Sequence, residues 1–167
     1  MKTLIKILLL VALVAGLVTL AIASDTDIST VTITFSEITE IDVTGNPTLT
    51  IVAPATPGNL PAYQTDATTT MAWTANVASG TKKITGKLDS TFSGIDLSAT
   101  VTVAGGCGSS AGSKTFTISD QDFVTGITNC NTGTPGGTIT FRADVTSMVA
   151  PYTSTQKVVT WTLTAAS

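Results

Sequence analysis

Val31, Ile33 and Phe35 alternate with Thr30, Thr32 and Thr34, so the stretch Ser29 to Phe35 places apolar side chains on one face and hydroxyls on the other. A period of two is the signature of a half-buried strand. The pattern recurs along the chain. Ile41 and Val43 alternate with Glu40, Asp42 and Thr44, and Leu49 and Ile51 with Thr48 and Thr50. Further strands are expected at Met71 to Ala75, Ile84 to Leu88, Leu97 to Val103, Phe116 to Ile118, Ile139 to Phe141 and Val159 to Leu163.

Between these runs lie clusters that a helix would not tolerate: Gly45-Asn46-Pro47, Pro54 to Pro61, Ser79-Gly80, Gly105 to Gly112 and Thr132 to Gly137. All six prolines fall in such connections or at strand ends, because proline cannot donate to a ladder. The segment Pro54 to Asp66 is expected to be a crossover loop within one domain. A single helical turn is the expectation at Ser119 to Val124, where Ser119 or Asp120 can cap it. About eight or nine short antiparallel strands with no interleaved helices predict an all-β sandwich of Ig-like or jelly-roll type, with a barrel as the alternative. No fixed-period repeat is present, which disfavours a solenoid or propeller.

The first residues follow a different rule. Lys2 and Lys6 precede and flank an apolar run from Ile7 to Leu20, which closes on Ala21-Ile22-Ala23-Ser24. A basic start, an apolar centre and a small-residue exit define a secretory signal, with cleavage at Ala23 or Ser24. The expected organisation is a signal helix over residues 1–24 and one domain over residues 25–167. The alternative is a retained anchor, since Leu4 to Ala23 is long enough to span a bilayer. The polar sequence Ser24-Asp25-Thr26-Asp27 favours a cut, because a stop-transfer flank would carry Lys or Arg.

Removing the leader takes two of the eight basic residues and leaves six against eleven acidic ones, a net charge of −5. That sign disfavours nucleic acid and anionic lipid as partners, so contact with a membrane is expected only through an uncleaved N-terminal segment. Charged residues make up 11% of the chain, and threonine fills most of the remaining polar positions. The surface is polar without being charged. Export makes a disulfide between the two cysteines, Cys107 and Cys130, the default expectation. Two thiols with no histidine in the chain make a zinc site improbable.

The candidate chemistry is thin. Gly108-Ser109-Ser110-Ala111-Gly112 fits G-x-S-x-G, but the nucleophile elbow needs a following helix and a histidine base, and this chain has neither there. Gly112-Ser113-Lys114-Thr115 lacks the spacing of a phosphate loop. Glu37 with Glu40, and Asp120 with Asp122, are the nearest carboxylate pairs, and the alternation of Glu40 and Asp42 with Ile41 and Val43 places those two on the solvent face. Asp120-Gln121-Asp122 and Asp25-Thr26-Asp27 are the places where calcium would bind if it binds at all, although the EF-hand pattern is missing. Trp73 and Trp161 share the register of apolar neighbours and are expected in the core, leaving Tyr63 and Tyr152 as surface aromatics for a glycan. No catalytic residue, cofactor or metal site is expected.

The stripe of Val31, Ile33 and Phe35 therefore carries the functional question. An apolar stripe on an open strand invites pairing with another chain. Taken in order, the export signal, the Thr-rich strand Ser29 to Phe35, Glu37-Ile38-Thr39-Glu40-Ile41-Asp42-Val43, the long loop and the final Val158-Val159-Thr160-Trp161-Thr162-Leu163-Thr164 resemble small secreted subunits of prokaryotic surface fibres. The nearest groups are the TasA/camelysin-type biofilm fibre proteins and the archaeal bundling pilins. That resemblance implies a jelly-roll or Ig-like subunit whose mature N-terminal strand inserts into a neighbour. The expectation is a secreted or cell-surface structural or adhesive protein, self-associating as a fibre subunit, with an extracellular glycan- or calcium-binding module as the alternative.

Overall fold

The computed structural model describes residues 28–151 and 155–166, so the expected signal segment and its cleavage point at Ala23 and Ser24 lie outside the described residues. The chain divides between Phe35 and Ser36, and among the described residues every strand lies in the second unit, Ser36–Ser167.

Over its described residues that unit is an all-β sandwich of ten strands, three of them only two residues long. In chain order they are β1 (Thr39–Thr44), β2 (Gln64–Ala75), β3 (Lys82–Leu88), β4 (Ile95–Val101), β5 (Ser109–Ser110), β6 (Lys114–Thr115), β7 (Gln121–Ile127), β8 (Cys130–Asn131), β9 (Gly137–Val145) and β10 (Val159–Ala165). One sheet runs β1-β2-β9-β4-β6, with β8 pairing to β2; the other runs β10-β3-β7-β5. Every pairing is antiparallel.

Period two in the sequence becomes the interior of the sandwich. Met71, Trp73 and Ala75 of β2, Leu97, Ala99 and Val101 of β4, and Ile139, Phe141 and Ala143 of β9 line one inner face. Ile84 and Leu88 of β3, Phe123 and Ile127 of β7, and Leu163 of β10 line the other. Most of the intervening threonines face outward, where a branched Cβ suits the pleated surface and the hydroxyl meets water; Thr69 and Thr85 are buried. At the centre Phe116 packs on Phe123, Phe141 and Trp161, with ring centroids 4.8, 6.0 and 5.5 Å apart respectively.

Several segments depart from the alternation rule. Ser119 to Val124 is not a helical turn, because β7 begins at Gln121. A bulge breaks the alternation there: Ile84 opposes Val124 while the next residue, Thr85, opposes Asp122, leaving Phe123 as the extra residue. Phe123 and Val124 are then both buried, and the period is lost at that point. β2 starts at Gln64, inside the expected crossover loop, and takes in the threonine run Thr68-Thr69-Thr70, with a register shift between Asp66 and Thr69.

Leu49 and Ile51 are half-buried against the core without joining a ladder. There the Thr48 amide donates to the Asp66 carboxylate at 3.1 Å instead of to a strand neighbour. Phe116 to Ile118 is a crossing between sheets rather than a strand. The Phe116 amide donates to the Leu97 carbonyl at 2.8 Å, and the Thr117 carbonyl accepts from the Leu88 amide at 2.8 Å.

Cys107 and Cys130 form the expected disulfide, with Cα atoms 5.6 Å apart, inside the normal span. Cys107 is buried, and the bond ties the loop after β4 to β8 at the end of β2.

Candidate functional site

Ser29 to Phe35, expected as a strand, belongs to neither sheet. An extended segment becomes a strand only when its backbone groups have a ladder partner, and among the described residues no strand pairs with it. Its alternation is nonetheless fully displayed. Val31, Ile33 and Phe35 are 75, 86 and 77% exposed, a run of large apolar side chains on every second residue.

The fold is fixed immediately after this segment. Asn76, just past the end of β2, holds residues 36–38 with its side chain and its backbone. Its side-chain amide donates to the Ser36 carbonyl at 2.9 Å, its carbonyl oxygen Oδ1 accepts from the Ile38 amide, and its own backbone amide donates to the Ile38 carbonyl at 3.0 Å. Glu37 Oε1 lies 2.7 Å from Nζ of Lys82, a side chain otherwise well covered. Lys82 opposes Ala165 in the register of β3 and β10, so Glu37 is fastened beside the C-terminal end of β10. Residues 36–38 form a firm root directly behind the apolar stripe.

The other half of the geometry is an open side of the sandwich. β1 and β10 are the outer strands of their sheets and lie beside one another across the interior. Their inward-pointing side chains, Ile41 and Val43 on β1 and Val159 and Trp161 on β10, are only half-buried although they pack on the core. The opposite side is closed, because the chain from β6 through Phe116 crosses there from one sheet to the other.

The remaining candidates dissolve into ordinary contacts. Ser110 lies in β5, and its hydroxyl accepts from the Gly112 amide at 3.3 Å. Asp120 pairs with Lys87 at 3.7 Å and Asp122 with Lys83 at 3.1 Å. Among the described residues no group of three or more Asp, Glu or Cys side chains is placed to hold a metal; Asp25 and Asp27 lie outside them. Glu40 and Asp42 are solvent-facing, as expected, at the rim of a wide-open depression of about 580 Å³ shared with Thr74, Asn131 and Thr134. Trp73 is a core residue as expected, while Trp161 sits at the half-open edge.

Tyr63 is exposed, but the Arg142 guanidinium lies 3.8 Å from its ring centroid and occupies one face. Tyr152 lies outside the described residues. Arg142 is itself held in a two-bond fork by Asp144, through Nε at 2.7 Å and Nη2 at 2.6 Å, which keeps the Asp144 carboxyl below the usual carboxylate range. Asp66 is lowered as well, chiefly by the Thr68 hydroxyl at 2.6 Å and then the Thr68 amide at 2.8 Å. Both are structural hydrogen bonds of turns and strands.

No protein-family model, no curated protein and no solved structure matches this chain. Residues 29–35 display an apolar stripe; the sandwich, by itself, has an anchored start at residues 36–38 and one incompletely closed side. The periodicity of the sequence foretold the stripe. Asn76 and Lys82 gave no sign, because their partners lie about forty residues away in the chain and carry no motif.

Proposed function

We propose that this chain is an exported structural or adhesive protein of the cell surface that assembles into fibres by donating Ser29–Phe35 to a neighbouring copy. The observation that carries the reading is the exposure of Val31, Ile33 and Phe35 on alternate positions of a segment that neither sheet takes up. Burying side chains of this size stabilises by about 1.5–3 kcal/mol each, and the alternation specifies the geometry in which they are buried together. That geometry is a strand added to a sheet edge. A contact in which one end of a copy fills another part of the next does not close on itself, so it propagates as a filament.

Two further features support the reading. The disulfide fits an oxidising compartment outside the cytoplasm, and the low charge of the chain leaves little like-charge repulsion between packed copies. The resemblance to TasA/camelysin-type fibre proteins and archaeal bundling pilins points the same way.

The test is a matched pair of variants. Ile33→Asp places a charge on the stripe and is expected to abolish assembly while leaving the melting temperature of the monomer unchanged. Thr32→Asp places the same charge on the hydroxyl face and is expected to assemble. Equal assembly by both would overturn the proposal.

A further inference from the structure

We infer that the acceptor for the donated segment is the open edge of β10, and that the strand enters antiparallel with Val31, Ile33 and Phe35 opposite Leu163, Trp161 and Val159. This rests on the donated-strand reading and specifies the surface of the second copy that receives it.

The backbone register decides which groups of β10 are free. The Asp89 amide donates to the Val158 carbonyl, and the Ala166 amide to the Thr81 carbonyl, just beyond the two ends of the β10–β3 ladder. In an antiparallel ladder the bonded residues recur at every second position. Thr160, Thr162 and Thr164 therefore bond β3, while the amides and carbonyls of Val159, Trp161 and Leu163 point to the open edge. The same three residues direct their side chains inward, Leu163 buried and the other two half-buried. A strand laid along this edge with its own apolar residues opposite them makes a bonded pair at each position and covers the exposed flanks of Val159 and Trp161.

The edge lacks the usual protection. Natural outer strands carry charge or proline that discourages pairing, yet residues 158–166 hold neither, and neither does Ser29 to Phe35. β1, the outer strand of the other sheet, does carry Glu40 and Asp42. β10 and the donated segment also share one composition, apolar residues alternating with threonine, so a threonine row would continue across the outer face of the enlarged sheet.

The occupant is a second copy because of direction. Glu37 is fastened to Lys82 beside the Ala165 end of β10. A segment leading into Ser36 at that end would meet the β10 of its own chain only in the parallel sense. Every pairing in the structure is antiparallel, and parallel pairs are slightly weaker per residue. A segment from another copy is free to enter the other way.

The experiment is photo-cross-linking of the secreted chain with p-benzoylphenylalanine replacing Phe35 or, separately, Ile33. Isotope-labelled and unlabelled copies are mixed before assembly, and the products are read by mass spectrometry. The expected result is cross-links between chains, from position 35 to the vicinity of Val159 and from position 33 to the vicinity of Trp161. Filaments whose cross-links fall on Thr39–Thr44 would overturn the β10 assignment and leave strand donation standing. Cross-links confined within one chain, or no assembly by the chain without the probe, would overturn both.

A second measurement guards against a probe that blocks assembly. The non-assembling full-length Ile33→Asp variant is mixed with excess peptide of sequence Asp25 to Phe35. Trp161 emission is expected to shift to the blue as its exposed flank is covered, whereas Trp73 is already buried. Unchanged emission at saturating peptide would overturn the assignment.

Discussion

Gly86 on β3 stands directly opposite Trp161 on β10, and a Cβ at that glycine would lie 3.0 Å from the indole and equally close to the rings of Phe116 and Phe123. The absence of a side chain at one position lets three aromatic rings close over the middle of the second sheet and seats the outer strand on it. Gly86→Ala should therefore destabilise the fold by about 1–3 kcal/mol through overpacking, although alanine is ordinarily no worse than glycine in a strand. Chemical denaturation of the variant against the parent checks this; an unchanged midpoint would show that the rings can yield.

Removing the Asn76 side chain tests the root. Asn76→Ala leaves the Ile38 amide and the Ser36 carbonyl without their side-chain partner, at a cost of about 1–2 kcal/mol. Amide exchange at Ile38 should accelerate well beyond the global change, while exchange in β9, on the far side of β2, follows only the global change. Uniform acceleration would mean that Asn76 supports the whole sheet rather than the start of β1.

Loss of the disulfide should be felt throughout the unit. The two cysteines are 23 residues apart in sequence, and closing a loop of that length stabilises by about 3 kcal/mol in the chain-entropy model. Cys107→Ser combined with Cys130→Ser is expected to lower the denaturation midpoint accordingly while keeping the β-type circular dichroism. A midpoint within error of the parent would contradict the assignment of the bond as a main staple of β8 to the loop after β4.

Acid should weaken the fold only at low pH. Asp66 and Asp144 are both held below their ordinary value of 3.8, Asp66 chiefly by the Thr68 hydroxyl and Asp144 chiefly by Arg142. A carboxyl lowered on folding contributes stability above its unfolded pKa and loses it as pH falls through the folded one. Stability should be flat near neutrality and decline below about pH 4. Asp66→Asn should shallow that decline, and an identical acid limb in the variant would show that Asp66 plays no part in it.

The strands legible in the sequence are those whose neighbours preserve the period: β1, the second half of β2, β9 and β10 show alternation that survives into burial, whereas β3 and β4 each bury three consecutive residues at their centres. β7 was hidden because the bulge at Phe123 places two apolar residues side by side, a local event that depends on β3 forty residues earlier. Leu49 and Ile51 show the converse, a correct reading of which side chains turn inward without the ladder that would make a strand. At the candidate site the stripe was legible as a pattern. The half-open flank at Ile41, Val43, Val159 and Trp161 was not, since it arises from which strands end up outermost, and order in a sheet is a long-range property.

Strand donation is tested most directly by electron microscopy and sedimentation of the chain beginning at Asp25 beside one beginning at Ser36. Filaments are expected from the first and none from the second, with the shorter chain folded and sedimenting as a monomer. Monomers from both, with the shorter chain melting lower or aggregating, would contradict it and return Ser29 to Phe35 to the sheet of its own molecule.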